Sequence, residues 1–356
     1  MACQHGSGRL AGFRIDGYNL KLEENGGFVG DRVRSRAFAV VLDGLRRSAC
    51  DAGPDPLGSV ASDDRPALDK ILEREGTVAA RLIGQAVERY ANEFAEVVRR
   101  FLATREWAGI EAVAVGGGLR GSRLGERAIR RAEALLEAGG HPVRVRPIQV
   151  DPDEAALLGA VHLRPADVPG HEAILAVDIG GGNVRAGVVR PGRGGSRAAE
   201  VLLREHWRHR HERVDRDEMV MRLTTMLASL VHRARHEGLS VAPFVGIGCP
   251  GAIRADGAIT CGTQNLPGNW QEAGFNLPAR VAASLSSIDD AEVRVILHND
   301  AVLQGLGEAS RMCGYVRWGV LTIGTGLGNA AFTSLTSVSL SEEPSGERPL
   351  AHAGSA

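Results

Sequence analysis

A chain of 356 residues with 42 lysines and arginines against 43 aspartates and glutamates has a formal net charge of −1, so no basic nucleic-acid surface or anionic-membrane patch is expected. Its 44% hydrophobic content suits a protein with a buried core, and its length allows two domains at the usual ~100–200 residues each. No apolar run approaches the ~20 residues that would span a bilayer, and Met1 to Arg9 carries no apolar signal core. The cysteines, Cys3, Cys50, Cys249, Cys261 and Cys313, are odd in number and form no close pair, which points to a reduced, cytoplasmic compartment.

Phe13 to Glu23 alternates loosely as a strand and ends in the turn Glu24-Asn-Gly-Gly27. Arg36 to Arg47 has helical spacing, with Phe38, Val41, Leu42 and Leu45 on one face. Asp64 is placed to cap a short helix to Glu75, with Pro66 in its first turn. The strongest helix runs from Thr77 to Thr104, and its stripe of Leu82, Ile83, Ala86, Val87, Tyr90, Phe94, Val97, Val98 and Phe101 reads as core. A strand at Ile110–Val115, a turn at Gly116-Gly117-Gly118 and a helix at Ser122–Ala138 follow. Val143–Ile148 is a second short strand, Asp153–Leu163 an alanine-rich helix, and Arg164–Glu172 a linker. Ala173–Val189 then reads as strand, tight turn and strand, and Val214–His236 as a helix. Val245–Gly248 and Val293–Leu297 are buried strands, separated by a hairpin turn at Arg254–Gly257. A helix at Ala301–Ser310 and a strand at Trp318–Ile323 complete the order. Residues 334–356, rich in Ser, Pro and Glu, are expected to be disordered. Strands alternating with helices make the fold α/β.

Five motifs carry chemistry. The strand Ile174–Asp178 delivers a carboxylate to Gly180-Gly181-Gly182, where the backbone can approach an anion, with Asn183 and Arg185 adding polar reach. Asp178 can hold Mg²⁺ through water. The second turn, Gly324-Thr325-Gly326, offers amides and a hydroxyl to β- or γ-phosphate oxygens, or is a plain β-turn. Gly116, Gly117 and Gly118 can let a base or ribose lie on the backbone, or simply make a tight strand-to-helix turn. His298-Asn299-Asp300 ends a strand; Asp300 can accept the proton of an attacking hydroxyl or cap the next helix, and His298 reads as structural. Asn265-Leu-Pro-Gly-Asn-Trp270 can line a sugar site or form a Pro-Gly turn with a packed Trp. His206 to His211, interleaved with arginines, read as a solvated face rather than a metal site.

In this order the Asp178–Arg185 motif, Gly246-Ile-Gly-Cys-Pro-Gly251, Asn265-Leu-Pro-Gly, Asn299-Asp300-Ala and Leu321-Thr-Ile-Gly-Thr-Gly326 resemble the ROK family of sugar kinases, glucokinase-like enzymes and sugar-responsive repressors. The resemblance implies a two-lobed, actin-like ATPase (ribonuclease H-like) fold with a central cleft. It implies Asp300 as catalytic base, Asn299 and Asn265 as substrate ligands, and ATP with Mg²⁺ as cofactors for phosphorylation of a sugar or polyol. Val115-Gly-Gly-Gly118 and Asp151–Ala160 resemble the family's carboxy-terminal part yet precede Asp178, so the order is circularly permuted. One lobe is then residues 1–163 with 311–333 and the other 173–310. The chain departs from the family in three places. Gly182 stands where the family has threonine, the Glu-x-x-Gly-His sugar segment is missing, and the cysteine-rich zinc motif is absent, so no zinc is expected. The missing sugar segment keeps a catalytically silent sugar or nucleotide sensor of the same fold as the alternative, and a homodimer stays open. No helix-turn-helix or basic stripe supports a DNA-binding repressor.

Overall fold

The computed structural model describes residues 4–335, apart from 52, 119, 169, 193–197 and 211. Its principal strands are β1 (Phe13–Tyr18), β2 (Ala112–Gly117), β3 (Arg144–Pro147), β4 (Ala173–Ile179), β5 (Val184–Arg190), β6 (Glu200–Trp207), β7 (Val241–Cys249), β8 (Arg294–Asn299), β9 (Arg317–Ile323) and β10 (Leu327–Ser334). The helices are α1 (Ala37–Cys50), α2 (Arg65–Leu72), α3 (Val78–Leu102), α4 (Arg123–Ala138), α5 (Ala155–Gly159), α6 (Arg216–His236), α7 (Leu277–Leu285) and α8 (Asp300–Gly307).

Two sheets share one plan. In the five-stranded sheet the order is β8-β7-β4-β5-β6: β4, β5 and β6 form an antiparallel meander, and β7 and β8 add in parallel beside β4. In the six-stranded sheet β9, β10 and β1 form the meander, β2 and β3 add in parallel beside β9, and the short strand Arg9–Leu10 extends the edge. The first sheet is built from one continuous stretch. The second is closed by both ends of the chain, because β10 pairs with β1, Phe332 opposite Ile15.

Strand faces explain the layers. On β2 and β9 the large residues Val113, Val115, Leu321 and Ile323 point to a core shared with α1, α3 and α4. On β4, Leu175, Val177 and Ile179 point to a second core with α6 and α7. The opposite faces, smaller on average (Ala112, Ala114, Ile174, Ala176), meet α5 and α8 in a third core that joins the sheets. Each buried Val, Leu or Phe stabilises these cores by about 1.5–3 kcal/mol. There α5 and α8 touch backbone to backbone. A Cβ on Gly159 would meet Leu303 O at 1.9 Å, and one on Gly307 would meet Ala155 O at 2.0 Å.

Local signals place most elements. Thr77, Asp64 and Ser122 cap their helices through amides three residues on, and Asp215 with Glu218 forms a capping box at α6. Several expectations need correction. The strand of β2 continues through Gly116 and Gly117, so the glycine turn starts one strand-end later. The Asp153–Leu163 helix is a short α5 followed by a 3₁₀ turn at Ala160–Leu163. Glu200–Trp207 is a strand, and α7, capped by Asn276, adds a helix beyond those expected. Ser334, expected in a disordered tail, lies in β10; residues 336–356 of that tail lie outside the described residues. Among the described residues no helix is long and apolar enough to cross a membrane.

Candidate functional site

The carboxyl ends of parallel strands are where an open α/β sheet leaves room for a ligand. Asp178 lies one residue before the end of β4, opposite Gly248 of β7, and Gly248 in turn faces His298 of β8. Asp300 follows two residues later, at the first position of α8. Gly248 keeps the gap between the two acids small, since its Cβ position would lie 3.5 Å from the Asp300 Cα and 3.6 Å from Val177 O. Burial and the charge of Asp178 together push the Asp300 carboxyl up to about 7, against backbone amides of its helix turn that favour the ionised form. Burial also raises Asp178, although Arg185 opposes it. Between them the buried Cys249 thiol is pushed up by desolvation and by both carboxylates, so it stays protonated and unreactive.

The helix is capped by Asn299, not Asp300. Asn299 is 3% exposed, its Oδ1 accepts from Ala301 N at 3.0 Å, and its Nδ2 donates to Gly251 O at 3.0 Å. The residue expected to orient substrate thus has its amide engaged by the fold. His298, wholly buried, donates from Nε2 to Ser7 O at 3.1 Å and is driven down to about 4 by burial, a neutral structural imidazole.

The first glycine turn is closed by Gly180 N donating to Asn183 O at 2.8 Å. Arg185, expected at phosphate, instead lies between two carboxylates: Nη1 to Asp178 Oδ2 at 3.0 Å and Nε to Asp153 Oδ1 at 2.8 Å. Burial works against ionisation of Asp153, but the charge and hydrogen bond of Arg185 outweigh it and hold Asp153 below its ordinary value. Asn183 accepts from His206 Nε2 at 2.9 Å. His209 is 4% exposed, and its Nε2 bonds Gly180 O at 3.1 Å. Burial lowers both histidines, which therefore serve as neutral donors. The solvated face expected at 206–211 is in part a brace for this turn. The alternation of Leu203 and Trp207 inward with Arg204 and His206 outward was a readable strand signal, obscured by its density of arginine and histidine.

The second turn, Gly324–Gly326, is closed by Gly324 N donating to Gly326 O at 2.9 Å, and Ser35 N donates to Gly324 O at 2.9 Å. The two turns lie together. Asn265 sits between them: its Cβ is 2.9 Å from the position a Gly181 Cβ would take, and its Nδ2 is 3.7 Å from that of Gly326. Arg210 also spans them, Nε 3.0 Å from the Gly182 Cβ position and Nη2 3.5 Å from Thr325 Oγ1. Gly116 and Gly117 lie beside the same strand end, opposite Thr322 and Ile323. Gly117, at φ +88°, has its Cβ direction blocked by Ile323 O at 2.1 Å, so close strand packing demands both features of glycine. Only Gly118 of this triplet is exposed, with its carbonyl held by Arg65 Nη1 at 2.6 Å.

Asp178, Asp300 and three glycine segments therefore occupy one end of the paired sheets, where two buried carboxyls lie near glycine-turn backbone. Among the described residues no group of three or more His, Cys, Asp or Glu is placed to hold a metal ion. A cavity of about 1400 Å³ lined by Leu10, Val150, Leu158 and Leu306 lies elsewhere, and none of the expected site residues lines it.

No protein-family profile matches the chain, and no curated protein sequence matches it. Solved structures do. A Listeria monocytogenes protein provisionally assigned as an N-acetylmannosamine kinase is 23% identical, with TM-score 0.34, over 46% of this chain and 47% of that one. A ROK hexokinase from Thermus thermophilus is 21% identical, with TM-score 0.26, over 36% of this chain and 35% of its own. An exopolyphosphatase from Cytophaga hutchinsonii is 16% identical, with TM-score 0.25, over 45% of this chain and 50% of its own. The chain thus spans half the length of these structures, or less.

Proposed function

We propose that this chain is an ATP-dependent kinase that phosphorylates a hydroxyl of a sugar or related polyol. The observation that carries the reading is the meeting of two glycine turns, bridged by Asn265 and Arg210, next to a buried acid whose carboxyl titrates near neutrality. The duplicated sheet plan supports two actin-like lobes, residues 1–163 with 311–333 and residues 173–310. The closure of one sheet by both chain ends supports a circularly permuted ROK order.

In this reading Asp300 takes the proton as a substrate oxygen attacks the γ-phosphorus. The new P–O bond forms, the bond to the departing ADP oxygen breaks, and the proton later leaves Asp300 to solvent. A base with a pKa near the working pH suits this step. The glycine turns and Thr325 hold phosphate oxygens, and Asn265, exposed between the turns, offers an amide to either ligand. The acids fit a divalent cation, since two buried carboxylates that repel each other are relieved by a hard dication, and Mg²⁺ keeps much of its water. Asp178 would hold it through water, and the ion would neutralise phosphate charge.

The test is a coupled ADP-release screen across hexoses, amino sugars and polyols, with Asp300→Asn as control. Turnover on one acceptor class, lost in the variant, is the expected result. Turnover that survives the substitution removes Asp300 as base. Absence of turnover on every acceptor, with MgATP still bound, would leave a non-catalytic sensor.

A further inference from the structure

We infer that Arg210 is a phosphate-binding residue of this site, a cation with no ion-pair partner among the described residues; the inference rests on the kinase reading above. The charge inventory leads to it. Asp178 and Asp300 are both acids, and a nucleoside triphosphate brings several more negative charges to the same place. Arg185 cannot answer them, because Asp153 and Asp178 already engage its guanidinium. Arg65 is turned to the carbonyls of Gly118 and Ser35. Arg210 makes no ion pair among the described residues, and the one hydrogen bond of its side chain among them is to a hydroxyl, Thr325 Oγ1, at the outer limit of 3.5 Å.

The backbone behind Arg210 is fixed. His209 N and Arg210 N both donate to Gly182 O, at 3.1 and 3.2 Å, and the His209 ring bonds Gly180 O. Trp207 Nε1 donates to Glu212 Oε1 at 3.0 Å, and Glu212 N donates to His209 O at 2.9 Å, which closes the loop that carries Arg210. The side chain then runs over Gly182, where a Cβ would come within 3.0 Å of Nε and 3.4 Å of the Arg210 Cβ. A bare glycine at 182 is what lets the guanidinium cross from one turn to the other. Its planar fork of donors can take two phosphate oxygens at once, a geometry that lysine does not reproduce. The amides at the heads of both turns are partly spent, Gly180 N on Asn183 O and Gly324 N on Gly326 O, so a side-chain cation supplies what the backbone withholds.

Binding of MgATP, inorganic tripolyphosphate and adenosine to the full chain, measured by calorimetry for wild type, Arg210→Ala, Arg210→Gln and Arg210→Lys, tests this. Wild type should bind MgATP and tripolyphosphate. Arg210→Ala and Arg210→Gln should weaken both by about tenfold or more, the size of a charge-assisted contact. Arg210→Lys should recover part of the loss, adenosine affinity should stay constant, and the salt dependence of MgATP binding should flatten. A merely structural residue would weaken adenosine as well. If wild type binds both polyphosphates and the variants bind them equally, the assignment is overturned while the kinase reading stands. If wild type binds neither, both fall.

Discussion

Asp178 and Thr322 stand at the same place in two similarly ordered sheets. Each sits one residue before the end of the strand that opens a meander, each is followed by Ile and Gly, and each lies opposite a glycine of the neighbouring parallel strand, Gly248 and Gly116. Both hairpins close with the glycine amide bonded to a carbonyl of the turn. The difference is chemical. The continuous sheet carries an acid at this place and a second acid at the start of α8, whereas the sheet closed by the chain ends carries a hydroxyl, that of Thr322. In the kinase reading proposed above, this shared scaffold would carry the acid on one sheet and hold phosphate on the other.

The sharpest way to break this comparison is at Asp300. Asp300→Asn should lower turnover by about 10²- to 10⁴-fold, the usual contribution of a general base, whereas Thr322→Val, on the other sheet, should change kcat by a few-fold at most. A loss of similar size at both positions would deny the division of labour. The wild-type rate should rise with pH through about 7, where Asp300 releases its proton, and the variant should lack that inflection. The stability sign is opposite. The folded carboxyl keeps its proton to about 7, while the unfolded one releases it near the ordinary 3.8, so stability from this group is full below the lower value and lost as pH rises between them. Melting temperatures of wild type and Asp300→Asn should therefore diverge from pH 5 to pH 8, with the variant gaining.

The seam between α5 and α8 tests whether the two halves depend on one another. Gly307→Val places a side chain within about 2 Å of Ala155 O, and backbone cannot yield as a side-chain tip can. A cost of about 3 kcal/mol or more is expected in denaturant unfolding, against almost none for Gly314→Ala, which meets open space. Gly159→Val should behave like Gly307→Val; unequal costs would show that the reciprocal contact is not shared.

The smallest expected effect is at the brace. His209→Ala removes the bond to Gly180 O from a buried site and should cost about 1–2 kcal/mol. It should also loosen the first turn alone, visible as faster amide exchange at Gly180–Asn183 with the second turn unchanged. Equal loosening of both turns would mean that they move as one.

Much of this molecule was legible along the chain because the signals are local. Helix caps, the apolar stripe of α3, the buried runs of β4 and β9 and the glycine turns each depend on a few consecutive residues. At Asp300 a chemical role and a capping role were both open, and the neighbour Asn299 took the cap because its Oδ1 reaches Ala301 N. Arg185 looked free to meet phosphate, yet Asp153, far off in sequence, claims one side of it. At Glu200–Trp207 the charge density hid a strand whose meaning came from pairing with β5.

Read along the chain alone, hydrophobic periodicity and turn chemistry determined an α/β protein, the carboxylate at 178 before its glycine turn and the turn at 324–326, since these are consequences of neighbouring residues. Only the folded molecule decided that the two ends of the chain close one sheet, that Arg210 and Asn265 lie across both turns, and that Asp178 sits close enough to Asp300 to raise its pKa. Those facts depend on strand pairing and side-chain reach between distant segments, and neither leaves a mark on the spacing of adjacent residues.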